Sequence, residues 1–443
     1  MERADVIVIG AGAAGITAAH TIGKDLDTIV LEARDRIGGR VHSSRAWPDE
    51  TVDLGASWLT HALINPLTDI VKKYKIKLRD STLLNFSLRT ADGDKLSEDD
   101  IAKLFVLYFD IYAEVKENAE EYEGNGENDR AAKEEFEKVI ASRNLSREDE
   151  LGVRFFLNFT AAEPYASDLD KLSLFHWDDD LILVQAAMAV FPNGYVEVFE
   201  KLAKKLDIRL RHAVTDITRD KNGVTVKTAN GKEFRASYAI VSIPHGVLKG
   251  GLHDGSLKFS PDLPGRKRAA IERLETGLSD KFYFRFPKCF WGKKKDLVNL
   301  IDPNGDGAWS TWVNFYKYTR KPVLMCFNRT EHAKRLESMS DDEVIDEAMK
   351  VIERAYGPQP RPTMQRSHWG TDPFSRGTLA YVPPNATAND FVTMSLPVGR
   401  VYFAGDSTVA EYHGTVMAAY LSGVREGLRV LYNGGRALIK NLN

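Results

Sequence analysis

Residues 10 to 15 read Gly10-Ala11-Gly12-Ala13-Ala14-Gly15, and what flanks them constrains the fold more than any other feature of the chain. Before them, Asp5-Val6-Ile7-Val8-Ile9 is a short apolar run suited to a buried strand. After them, Ile16 to Ile22 reads as a helix, and Thr28-Ile29-Val30-Leu31 predicts a second strand. Strand, glycine turn, helix and strand make a βαβ unit, which builds parallel sheet with the helix on one face. Gly10 permits the tight turn, Gly12 lets backbone approach a pyrophosphate, and Gly15 lets helix and strand pack closely. Ala13 and Ala14 lie where the turn opens into the helix, whose free N–H groups and positive dipole end face the same anion. Glu32 ends the second strand, 17 residues after Gly15. A carboxylate there can accept ribose hydroxyls and would repel a 2′-phosphate, so a dinucleotide site that disfavours NADP is expected.

At 443 residues the chain exceeds one ordinary core, and two domains are expected. A formal net charge of −3 gives no reason to expect nucleic acid or an anionic membrane as partner. No apolar run approaches the roughly 18 residues of a membrane span. The apolar residues from Val6 onward belong to a strand, leaving no room for a secretory signal. Cys289 and Cys326 fit neither a metal site nor a CxxC pair, so two buried thiols and no metal are expected. A chain without a disulfide framework favours a reducing, cytoplasmic setting.

Further along, residues 95–150 are rich in Glu, Lys and Ala with helical spacing, interrupted at Gly124-Asn125-Gly126, and predict a solvated pair of helices. Val224-Thr225-Val226 and Glu233-Phe234-Arg235 flank Asn230-Gly231, a hairpin signal, and Ala239–Ile243 reads as another buried strand. The chain closes with the strand Val401–Ala404, a turn, and a helix from about Gly414 to Leu431.

Glu32-Ala33-Arg34 followed by Gly38-Gly39-Arg40-Val41 resembles the second FAD motif of the flavin amine oxidases. A glycine pair brings backbone close to a cofactor, and Arg34 and Arg40 can neutralise phosphate. More segments resemble that family in the right order. Gly55-Ala56-Ser57-Trp58 resembles the segment lining the flavin face, and Val214 the strand that meets the adenine. Ile243-Pro244-His245-Gly246 resembles the strand returning beneath the cofactor, and Trp369 with Asp372–Gly377 the flavin-packing tryptophan block. Ala404-Gly405-Asp406, then Gly414-Thr415-Val416, resembles the closing signature. By this resemblance the chain binds FAD from both ends. The first N–H groups of the last helix, those of Thr415 and Val416, would favour negative charge on the reduced ring.

The resemblance also implies the reacting groups. Lys281, within Gly277–Phe282, takes the place of the family's lysine that holds a water near flavin N5; desolvation there should lower its pKa. Tyr412 takes one side of the family's aromatic cage for the substrate amine, while Leu379 stands on the other, so the cage is half built unless Tyr381 supplies a ring. Thr60 and His61 replace the polyamine oxidase pattern. Asp178-Asp179-Asp180 reads first as a solvated turn, and is also the best local acidic cluster for a distal ammonium. Thr378 stands where covalently flavinylated relatives carry cysteine, so the FAD is expected to be non-covalent.

The expected fold is α/β: a Rossmann-type FAD-binding domain of residues 1–85, 200–282 and 395–443, interleaved with a mixed α+β substrate-binding domain of 86–199 and 283–394. The expected activity is hydride transfer from an amine carbon to flavin, giving imine and then aldehyde, with dioxygen reduced to hydrogen peroxide. A polyamine-type substrate is favoured. The alternatives are an L-amino-acid or other monoamine oxidase, with Arg154 and Arg285 as unplaced carboxylate binders, a flavin enzyme acting on C–C bonds, and a non-catalytic FAD-binding module. A chain without length for an added recognition domain argues against histone demethylation.

Overall fold

The computed structural model describes residues 1–178 and 188–441, with side chains to residue 433. Its larger sheet has eight strands. Glu2–Ile9 lies near the centre, parallel to Thr28–Leu31 on one side and to Glu233–Val241 on the other. Val401–Phe403 pairs in parallel with the second half of Glu233–Val241. Val6, Ile7 and Val8 have no exposed surface, as expected of a parallel strand covered on both faces. The hairpin at Asn230-Gly231 is present, between Gly223–Thr228 and Glu233–Val241. The run expected as a separate strand at 239–243 is instead the far end of that second strand, which continues unbroken to Val241.

Helix Ala13–Ile22 packs against the closing helix, which starts at Val416 and runs on to Asn441. Their approach depends on glycine. A Cβ on Gly423 would lie 2.4 Å from the carbonyl oxygen of Ala14, and one on Gly427 would lie 2.9 Å from that of Ala18. Hence the first and last segments of the chain form one layer over the sheet.

A six-stranded sheet runs in the order Thr363–Arg366, Ser279–Arg285, Val323–Arg329, Trp312–Asn314, Leu297–Leu300, Phe86–Arg89. One of its faces packs Phe282, Phe284, Trp312 and Leu324 against helix Asp341–Tyr356. On the other, Tyr283, Val313 and Met325 meet a helical layer. That layer comprises Glu98–Gly124, Ala132–Ser142 and Arg147–Leu157. It corrects the expectation of two solvated helices: Leu104, Tyr108, Ile111, Tyr112 and Val115 form a buried stripe at helical spacing within a strongly charged composition. Cys326 is buried, whereas Cys289 is only half-buried.

Candidate functional site

A cavity of about 730 Å³ runs from the glycine turn to the six-stranded sheet. At one end are Gly10, Gly12, Ala13, Ala14, Glu32, Ala33, Gly38 and Gly39. Gly15 is withdrawn from the wall and serves the close contact with Gly10. Glu32 is fixed by backbone: its carboxylate accepts the Ala11 N–H at 2.7 Å and the Arg34 N–H at 2.8 Å. Val214, Gly405 and Asp406 border the same space, as do Thr415 and Val416 where the last helix begins. The Thr415 hydroxyl accepts the Ala418 N–H at 3.0 Å, capping that helix.

Both predicted arginines border the cavity with their guanidinium groups already engaged. Arg34 holds Asp372 at 2.5 Å and the Ser375 hydroxyl at 2.8 Å, clasping the tryptophan block onto the glycine motif. Arg40 binds Asp406 and the carbonyl of Thr378.

The other end holds Gly55, Ala56, Ser57, Trp58, Thr60, Lys281, Trp369 and Leu379. Strand Ser279–Arg285 presents Lys281, Tyr283 and Arg285 in alternation to residues 49–57. Lys281 Nζ donates to the Gly55 carbonyl and to Ser57 Oγ; the Tyr283 hydroxyl donates to the Asp53 carbonyl at 2.8 Å; Arg285 pairs with Asp49. Trp58 and Phe327 flank Lys281, their ring centroids 5.0 and 5.4 Å from Nζ. Burial lowers the Lys281 pKa to about 7, against the opposing pull of Asp53, and burial raises the Asp53 carboxyl. Trp369 is held at two points: Nε1 donates to the Leu54 carbonyl at 3.0 Å, and its N–H donates to buried Asp280 at 3.0 Å.

His61 and Tyr412 come together, rings edge-on with centroids 5.2 Å apart. Both have left-handed backbone, and neither ring is part of the cavity wall, although their neighbours Thr60 and Gly414 are. Leu379 packs directly against Gly414 in the wall, where a Cβ on the glycine would lie 3.1 Å from the Leu379 Cβ. Tyr381 does not supply a second ring, because its side chain is buried in the core against the helical layer and bonded to Ser167.

The acidic cluster is corrected as well. Asp178 accepts from Lys116 at 2.6 Å and the Tyr112 hydroxyl at 3.0 Å and does not border the cavity; Asp179 and Asp180 lie outside the described residues. Arg154 pairs with Glu137 and Glu150, and Arg285 with Asp49, so neither reaches the cavity. Besides Glu32 and Asp406, the wall holds a carboxyl with no signal in the sequence, Glu163. It follows a π-helical turn, Asn158–Ala162, which also brings Phe159 to the wall. Burial raises the Glu163 pKa to about 7, opposed by a hydrogen bond with Thr311 and by Arg329.

This wall fits a flavin dinucleotide. A Cβ on Gly12 would meet nothing within 4 Å, so bare backbone faces open cavity where a pyrophosphate is expected. Glu32 borders the same space, which extends to Lys281.

The model of the family described as flavin containing amine oxidoreductase matches residues 13–431. Polyamine oxidase 2 of Arabidopsis thaliana is 32% identical over 95% of this chain and 86% of its own length. Lysine-specific histone demethylase 1 homolog 1 of Arabidopsis thaliana is also 32% identical, over 97% of this chain but 52% of its own length. A solved structure of a putrescine oxidase double mutant superposes with a TM-score of 0.76 at 18% identity, covering 97% of this chain and 99% of that one.

Proposed function

The chain belongs to the flavin-containing amine oxidoreductases and is a flavin-dependent amine oxidase; from that premise we propose that it oxidises a polyamine-type substrate with non-covalently held FAD. The chemistry the flavin supplies when bound is acceptance of hydride from the carbon bearing the amine and return of the electrons to dioxygen as hydrogen peroxide, with the resulting imine hydrolysing to an aldehyde.

Gly10, Gly12 and Gly39 give the dinucleotide bare backbone, Glu32 takes its ribose, and the N-terminus of helix Ala13–Ile22 takes its pyrophosphate. Val416, the first residue of the last helix, directs its N–H at the opposite end, while the Thr415 N–H is spent on the Tyr412 carbonyl at 3.2 Å. FAD over a simpler flavin is supported by a wall that has both a nucleotide end and a lysine end. Non-covalent binding is supported by Thr378, whose hydroxyl is spent on the Gly277 carbonyl at 2.9 Å, and by the absence of Cys289 and Cys326 from the wall. Two units are proposed around the two sheets. Strand Ser279–Arg285 pairs within the six-stranded one, so a boundary just before Ser279 suits the sheets better than one at 282.

The observation that carries the polyamine reading is that Lys281 and Glu163 border one cavity, among Phe159, Trp58 and Phe327. A lysine held near neutrality by burial can exchange a proton at Nζ with the reacting amine, which needs its lone pair free. A carboxylate elsewhere in an apolar wall offers a distal ammonium its counter-charge. Tyr412 and His61 pack against each other behind the wall at Gly414 and Thr60, while Leu379 contributes shape alone. No described helix is long and apolar enough to cross a membrane; a cytoplasmic setting is supported by two cysteines that are free.

A peroxide assay with spermine, spermidine, putrescine, a monoamine and L-amino acids tests this reading. Turnover of the polyamines above the monoamine supports it; turnover confined to monoamines or amino acids removes it.

A further inference from the structure

A second hollow, of about 750 Å³, opens beside the hairpin turn of residues 47–51 and shares no lining residue with the flavin cavity. Its wall carries six cationic side chains, Arg45, Lys77, Arg79, Lys317, Arg320 and Lys321, against two carboxyls, Asp49 and Glu50. Asp49 is already taken, by Arg285 at 2.7 Å and Lys321 at 2.6 Å. Lys317 is bound to Asp296, and Arg45 stands 3.6 Å from Glu200. Lys77, Arg79 and Arg320 are exposed to the hollow's side and have no acidic partner among the described residues.

Glu50 is unusual in a different way. It is buried, its Oε1 accepts from the Thr319 hydroxyl at 2.9 Å, and its Oε2 has no partner. Burial raises its pKa, which shifts it toward the protonated form, the form in which its free oxygen can donate to an incoming oxygen. Like charges gathered around a concavity repel one another, and a buried polar atom left unbonded costs stability. An anionic, oxygen-rich ligand relieves both. Amine oxidation uses none of these groups.

We propose that this hollow binds a multiply charged phosphate ligand, held by Arg79, Arg320 and Lys77 with Glu50 beneath it. Guanidinium forks match the geometry of phosphate oxygens, and lysine adds a point charge. Such phosphates come either free or on a nucleotide. Trp47, whose ring lines the hollow with the Arg285 guanidinium 5.6 Å from its centroid, offers a surface on which a base can stack.

The test is isothermal titration of the flavin-loaded enzyme with pyrophosphate, ADP and citrate at fixed ionic strength. Saturable one-to-one binding of pyrophosphate is expected. Arg79→Glu and Arg320→Glu should each weaken it by about ten- to a hundredfold while amine turnover persists as proof of folding. ADP tighter than pyrophosphate, with the excess lost in Trp47→Ala, assigns the nucleotide; equal affinities assign the free phosphate. No saturable heat, binding unchanged in both variants, or citrate binding as tightly as pyrophosphate would overturn the proposal.

Discussion

Lys281 Nζ donates to the carbonyl oxygen of Gly55, so the buried amine and the glycine-containing cavity wall are one assembly although 226 residues separate them. Ser57 Oγ and the Asp53 carbonyl, the latter at 3.5 Å, complete the contacts on the same side, and the Trp58 and Phe327 rings flank it. A lysine placed this way is oriented by backbone that cannot titrate away.

Lys281→Met should leave a yellow, folded protein with one half-reaction slowed by about 10²–10⁴, the size of a lost proton-relay group. Methionine keeps the stem between the two rings and removes only the amine. The folded lysine has a pKa lowered to about 7, so it sheds its proton as pH rises through that value. Flavin reduction under anaerobic stopped flow should therefore accelerate across neutral pH in the parent, and this inflection should vanish in the variant. Between that value and the ordinary lysine range the unfolded chain binds the extra proton, so the lysine makes the folded state relatively more stable as pH rises. Unchanged rates in both half-reactions would make Lys281 a structural cation.

Glu32→Ala should cost bound flavin. Its carboxylate organises two backbone N–H groups, those of Ala11 and Arg34, besides its proposed contact with ribose. Charge-assisted hydrogen bonds contribute about 1.5–3 kcal/mol each, enough to lower occupancy visibly after purification. The flavin-to-protein absorbance ratio reads this directly, and a variant as fully loaded as the parent would remove the ribose assignment.

Acid precipitation of the pure protein should leave yellow flavin in the supernatant. Thr378, committed to the Gly277 carbonyl and the Ser279 N–H, offers no thiolate for a covalent link. Colour retained in the pellet would contradict this.

The fold at the glycine end of the cavity was readable because its logic is local. Gly10, Gly12, Gly15 and Glu32 follow one another within a single βαβ unit, and each answers to a backbone requirement visible in sequence. Lys281 was readable by resemblance, but its partners Gly55 and Ser57 belong to a distant segment. Glu163 gave no signal, since it reaches the wall only through a π-helical turn that shifts the register of Phe159 and its neighbours. Asp178 misled because an acidic run looks available until Lys116 is folded against it. Tyr381 lies two residues beyond Leu379, a step of about 7 Å along a strand that carries its ring out of the cavity and into the core. The charged helices at 98–157 concealed a buried stripe for a related reason: composition averages over faces that packing separates.

The substrate prediction now rests on Glu163. If a polyamine extends from Lys281 along the aromatic wall, its distal ammonium needs a carboxylate, and Glu163 is placed to provide one. Glu163→Gln keeps shape and removes charge, so KM for spermidine should rise about tenfold or more, while a monoamine of similar girth changes little. The pH dependence has a definite sign. Because burial lifts the Glu163 pKa to about 7, its carboxylate is lost as pH falls through that value. KM for spermidine should climb below neutrality in the parent and stay flat in the variant. Folding gives an independent check. From the ordinary value of 4.5 up to about 7, folded Glu163 keeps a proton that the unfolded chain has lost, so its contribution to stability falls with rising pH. Above neutrality the glutamine variant should thus melt at or above the parent's temperature, which separates a weakened substrate contact from a damaged fold. Equal KM changes for spermidine and the monoamine, in a variant that melts normally, would take Glu163 out of substrate recognition.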